Sequence, residues 1–247
     1  MASGFFAILD DIAALMDDVA MTTKLATKKT AGILGDDLAV NAEKATGFLS
    51  SRELPVLWAI TKGSFLNKLI ILPIIFLLNW LFPVAIKVIL VIGGLYLAYE
   101  GVEKIIEYLF HKNEHKTDYE EALDVMDDPV AIEKAKVKSA ITTDFILSLE
   151  IVIIALSSAL DKPLMQQIIT VTLVSIIATI GVYGIVALIV RMDDAGYKLQ
   201  KKSKKEGGIL FSIGQLLINM LPWVIKILGV VGTIALILVA GGIFLHN

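Results

Sequence analysis

Four long apolar runs limit what this chain can become. Residues 84–110, 140–160, 164–190 and 223–245 consist mostly of Leu, Ile, Val, Ala and Gly. A bilayer core of about 30 Å takes roughly 20 such residues in a helix, so each run is long enough to cross. Helices this apolar all round belong in a membrane or at the centre of a large core. Composition favours the membrane: 56% of residues are apolar and 19% charged, against about 25% charged in soluble domains. Two further runs, residues 69–82 and 208–221, hold 14 residues each. They reach roughly 21 Å, short of a full crossing.

Several function classes fall away. A net charge of −3 provides no basic field for DNA or RNA, so no nucleic-acid partner is expected. Without cysteine there is no disulfide, thiolate nucleophile or thiolate metal site. His111, His115 and His246 leave little material for a zinc centre. No P-loop, Rossmann, HExxH or GxSxG pattern occurs, so neither an enzyme nor a cofactor is expected. The opening MASGFFAILDD has aspartates where a secretory signal would be basic.

Cations suggest orientation. Residues 111–139 carry Lys112, Lys116, Lys134, Lys136 and Lys138; residues 191–206 carry Arg191, Lys198, Lys201, Lys202, Lys204 and Lys205. Two apolar runs separate these loops, so both can face the cytoplasm, with Asp161-Lys162-Pro163 outside. Four regions result: a charged amphipathic stretch 1–64, a transmembrane hairpin 65–110, a cytoplasmic loop 111–139 and a second transmembrane half 140–247.

A shift of 139 residues lays the chain on itself. Phe6 meets Phe145, Asp11 meets Glu150, Arg52 meets Arg191, and Lys62 meets Lys201. Pro83-Val-Ala-Ile-Lys87 meets Pro222-Trp-Val-Ile-Lys226, and Gly93 meets Gly232. This register implies two similar halves, with first-half segments at 5–20, 25–49, 62–82 and 84–110. The two short runs then occupy matching positions, a transporter signature. Asn79, Pro83, Asn219 and Pro222 are the helix-break candidates; tight hairpins would use the same residues.

The amino-terminal region is crowded with charge. Asp10-Asp11 and Asp17-Asp18 lie seven apart and share a helical stripe; Asp36-Asp37 follows, with Lys24, Lys28 and Lys29 between. Each charge at mid-bilayer costs about 2.5 kcal/mol or more. The region therefore lies on the cytoplasmic surface or is buried in the bundle with its charges paired. Asp144 and Glu150 sit within an apolar run, about 120° apart on a helix. Intramembrane carboxylates mark proton or cation paths, or else are buried hydrogen-bonded carboxyls. Lys87 and Lys226 need a partner such as Asp11 or Glu150, or else snorkel to the interface. Glu100 and Glu103 read as rim residues. Arg52 and Arg191 read as anchors first and partners of Asp193 or Asp194 second. The glycines at 93–94, 181, 184, 229, 232 and 241–242 read as packing features.

The segments MASGFFAILDDIAALMDDVA, KKTAGILGDDLAVNAEKATGF, RELPVLWAITKGS, LNKLIILP and LPWVIKILGVVGTIALILVAGG closely resemble the YedI-like family of bacterial inner-membrane proteins. The resemblance covers nearly the whole chain and implies a polytopic inner-membrane protein; the family's function is unknown. Its members tend to extend further, so the ending at Phe244-Leu-His-Asn247 looks like a missing tail. A more distant likeness is to TerC and LysE-type exporters, whose apolar helices carry two acids six positions apart. TDFILSLE fits with Asp144 and Glu150; TAGILGDD fits in part, with Thr30 in an acid's place and Asp37 in an asparagine's. This mapping and the 139-residue register exclude one another.

The expectation is an all-α integral membrane bundle of seven or eight segments, lying in a bilayer and open to self-association. Its leading function is transport of a small cation, either a divalent metal of the Mg²⁺ or Mn²⁺ class or a proton-coupled solute. Glu150, Asp144, Asp36, Asp37 and Asp11 would face the cation, with Lys87 and Lys226 as counter-charges. The alternative is a scaffold whose charged amino-terminal region docks a partner.

Overall fold

The computed structural model describes residues 2–45, 50–110, 129–203 and 208–246. Among these it contains helices and no strand: α1 (Ala2–Ala45), α2 (Ser50–Leu81), α3 (Pro83–Phe110), α4 (Pro129–Ser157), α5 (Leu164–Val190), α6 (Met192–Lys202) and α7 (Ile209–His246). The helices α2, α3, α4, α5 and α7 are long and apolar enough to cross a membrane. The protein is an all-α polytopic bundle in contact with lipid. Ile180, Leu188, Leu238 and Val84 point outward, as lipid-facing side chains do.

Contacts between helix ends give the arrangement. Arg52, near the start of α2, donates through Nε to Glu133 Oε2 of early α4 at 3.0 Å. Lys44, near the end of α1, reaches Ser139 Oγ at 3.3 Å. Ala45, Val56, Ala140 and Val190 share one core cluster there. At the opposite end Asn79 of α2 donates to Gln167 of α5 at 2.5 Å, and Gln166 donates to Asp18 of α1 at 3.2 Å. The segments 111–139 and 191–206 thus join the bundle at one end, and the 158–163 turn lies at the other. Lys112, Lys116, Lys204 and Lys205 fall outside the described residues.

The first region differs from the expected pair of segments at 5–20 and 25–49. It is one helix, because no proline or glycine interrupts residues 20–25 and Thr22 Oγ1 continues the turn by donating to Asp18 O at 2.8 Å. Its first part is exposed; from Val19 onward one face is buried among other helices. The stretch from Asp18 to Lys44, roughly 39 Å at the helical rise, spans the height of the bundle.

The 14-residue runs are not short elements either. Residues 69–82 complete the 32-residue α2, and residues 208–221 open into the 38-residue α7. Hydropathy breaks at Lys68, but the helix continues, because that lysine is buried against polar partners. Pro83 begins α3 after the break at Phe82, whereas Pro222 lies inside α7. A bilayer offers no water to a broken backbone, so an internal proline is tolerated there. The matching positions of the 139-residue register therefore differ in structure: α1 is unbroken where residues 141–184 are split by the 158–163 turn. The division at 64/65 falls within α2, and α4 begins inside the expected 111–139 loop.

Close approach of α1 and α7 fixes the position of Asp36. A Cβ on Gly232 would fall 2.1 Å from the Asp36 backbone nitrogen, and one on Gly35 would fall 3.2 Å from Leu228 O. Gly32 meets Ala235 in the same way. By contrast, Gly181, Gly184, Gly241 and Gly242 have open space beside them and are not packing features within this chain.

Candidate functional site

Asp36 and Asp37, adjacent on α1, face two separate polar networks inside the bundle. The first network joins α1, α2, α4 and α5. Along each helix its members sit four residues apart: Asp37 and Asn41, Ser64 and Lys68, Asp144 and Ser148. This spacing puts each pair on one helical face. Asn41 Nδ2 donates to Asp37 Oδ1 at 2.5 Å. Lys68 Nζ donates to Ser64 Oγ at 2.9 Å and to Ser148 Oγ at 2.8 Å. Ser148 Oγ donates in turn to Asp144 Oδ2 at 3.1 Å.

Asp144 Oδ2 also accepts from Asn67 Nδ2 at 3.0 Å, and Oδ1 accepts from Tyr183 OH at 2.7 Å. Three donors thus converge on a residue only 2% exposed. Lys68 feels both Asp37 and Asp144 electrostatically and is 6% exposed. A single ammonium thus faces two carboxylates, with a serine bridging it to one of them. Deep in an apolar bundle such charges persist only when paired and fully hydrogen-bonded.

The second network joins α1, α3 and α4. Lys104 Nζ lies 2.5 Å from Asp36 Oδ2 and 2.9 Å from Glu100 Oε1. Glu100 and Lys104 form an i,i+4 pair on α3. Glu150 of α4 faces Glu100 across the helix contact. A cavity of about 570 Å³ between α1, α3 and α7 reaches this network at Asp36 and Lys104; Glu43, Lys226 and Thr233 also line it. A second cavity of about 740 Å³, between α2 and α5, reaches the first network at Tyr183. Its walls include Trp58, Phe65 and Ile180.

The structure brings together most of the expected carboxylates but divides them. Asp144 and Asp37 belong to one network, Glu150 and Asp36 to the other. The separation of about 120° along α4 is why one helix serves both. Asp11 joins neither: it is exposed on the free part of α1. Lys87 is exposed on α3 and does not meet Asp11 or Glu150. Lys226 is exposed, with its ammonium 6.0 Å from the Trp223 ring, and lines the first cavity.

The internal counter-charges are Lys68 and Lys104, neither of which was expected. Glu100 is not a rim residue; it is partly buried and bound to Lys104. Arg52 pairs with Glu133 rather than with Asp193 or Asp194, while Arg191 pairs with Asp194 at 2.8 Å. Asn79 is buried, and Asn219 is exposed and accepts from Gln215 at 3.1 Å. Among the described residues no three His, Asp or Glu side chains gather in a metal-holding group.

No curated protein and no solved structure matches this chain. One family model does, over residues 3–247, and it carries the description "Protein of unknown function (DUF808)". With that match covering nearly its entire length, the chain belongs to the DUF808 family.

Proposed function

We propose that this protein is a membrane transporter that couples a small solute to proton movement, and that the Asp37–Lys68–Asp144 network is its exchange centre. The observation that carries this reading is Lys68. It occupies the centre of an apolar helix, where a charge is expensive, and is satisfied there by groups from neighbouring helices. Intramembrane ionisable groups of this kind mark proton or ion paths. The run from Lys68 through Ser148 to Asp144 is continuous in hydrogen bonds and can pass a proton. The apolar cavity at Tyr183 supplies an approach from the side of the bundle.

A lysine between the acids favours proton coupling over a divalent-metal cage, because the ammonium takes the position that a metal would need. With the cation-rich segments 111–139 and 191–206 at one end, the positive-inside rule puts that end in the cytoplasm of a bacterial inner membrane.

The test uses proteoliposomes loaded with a fluorescent pH indicator and challenged in turn with Mg²⁺, Mn²⁺, Na⁺ and amino acids. At least one solute moves protons above the protein-free background, and Asp144→Asn abolishes that movement while the protein stays monodisperse. The reading is lost when no solute does so, or when Asp144→Asn matches the parent.

A second reading rests on the free part of α1. Ile8, Leu9, Ile12 and Met16 are exposed there beside Asp10, Asp11 and Asp17. Such a stripe suits docking of a partner by a scaffold protein. Under that reading charge reversal at Asp17 disrupts a cross-linked complex in cells, and Asp144→Asn leaves it intact.

A further inference from the structure

The second network presents an imbalance that its own residues do not resolve. Glu150 is 4% exposed, yet neither of its carboxyl oxygens receives a hydrogen bond. Glu100 Oε2 is in the same condition, and the two carboxyls lie within hydrogen-bonding reach of each other. Asp36 and Glu100 Oε1 have Lys104; Glu150 has no such donor.

Fully ionised, Asp36, Glu100 and Glu150 would place three negative charges around one ammonium in an apolar setting. Two adjacent carboxylates out of water repel strongly, and one proton held between them removes a charge and supplies a donor. The surroundings offer nothing else to neutralise Glu150. From α3 it faces Glu100, Lys104 and, further off, Tyr96; from α1 it faces Asp36. Helix α5 carries no charged residue. Lys226 of α7 belongs to the adjoining cavity, which meets this network at Asp36 and Lys104.

We propose that Glu150 and Glu100 form a proton-binding site, a carboxyl–carboxylate pair sharing one proton, which exchanges with the cavity through Lys104 and Asp36. The bound species is a proton and not a metal ion, since Lys104 holds the position from which a cation would bridge Glu100 and Asp36. In naming the coupling ion this inference rests on the transport reading. The site itself can be observed without any transported solute.

The experiment is infrared spectroscopy of the full-length protein in detergent at neutral pH, compared with Glu150→Gln and Glu100→Gln. The parent shows a protonated-carboxyl C=O stretch that shifts in D₂O and is missing from both variants. Either glutamine supplies the N–H donor that the pair needs, so each variant retains the parent's thermal transition. As a second readout on the unaltered protein, a hydrophobic carbodiimide, which reacts with protonated carboxyls, modifies Glu150 or Glu100 as located by mass spectrometry. Absence of the band together with absence of labelling overturns the proposal. So does a band that survives both substitutions, or one removed by NaCl or MgCl₂ at constant pH. A band in a protein that moves no protons in vesicles supports the site and sinks the transport reading; transport without the band does the reverse.

Discussion

Lys68 is the side chain whose removal the bundle should tolerate least. It faces two buried carboxylates, and its bond to Ser148 holds the serine that bonds Asp144. Lys68→Met keeps much of the length and loses the charge. Asp37 and Asp144 are then left without a cation, a change that costs about 3–5 kcal/mol for a buried pair. Lys68→Met combined with Asp144→Asn removes charge of both signs, so the double variant should lose less than the sum of the two single losses. Unfolding in mixed detergent micelles measures all three. Equal stability of Lys68→Met and the parent would show that the lysine is not engaged with the acids.

The helices themselves were readable in large part from the sequence, and the reasons for the misses are local. Runs such as 84–110 and 164–190 contain little that could end a helix, and α3 and α5 follow them closely. The amino-terminal helix was harder because hydropathy rates Asp36, Asp37 and Asn41 by their exposure cost. In the bundle α4, α5 and α7 cover them. The polar networks did leave a trace: Asp37 and Asn41, Ser64 and Lys68, Glu100 and Lys104, and Asp144 and Ser148 are four apart in otherwise apolar surroundings. What one chain could not reveal is which of these pairs meet across helices.

The glycines make the same point, because the sequence gives no sign of which ones face a neighbour. Gly232→Ala puts a methyl group into the Asp36 backbone and should cost at least about 1–3 kcal/mol, as overpacking does. Gly184→Ala meets open space and replaces a poor helix former, so a gain of up to about 1 kcal/mol is expected. Thermal denaturation in detergent should move in opposite directions for these two. Matching shifts would mean that α1 and α7 do not touch at Gly232.

Counted by hydropathy the bundle has five crossings, but packing gives six. Helix α1 runs from the level of Gln166 at one end to that of Ser139 at the other, antiparallel to α7, whose Gly229, Gly232 and Ala235 meet Ala39, Asp36 and Gly32 in order. Its charged residues can cross because neighbouring helices, not lipid, cover them. An even number of crossings puts the exposed start of α1 on the same side as Asp161 and opposite Lys138. The chain contains no cysteine, so single cysteines can be introduced without background. Met16→Cys and Asp161→Cys, both at exposed positions, should react with a membrane-impermeant maleimide from the same side, and Lys138→Cys from the other. If Met16→Cys instead reacts together with Lys138→Cys, α1 does not cross. Asp36 and Asp37 would then not be carried into the bilayer, and neither network could serve as an intramembrane site.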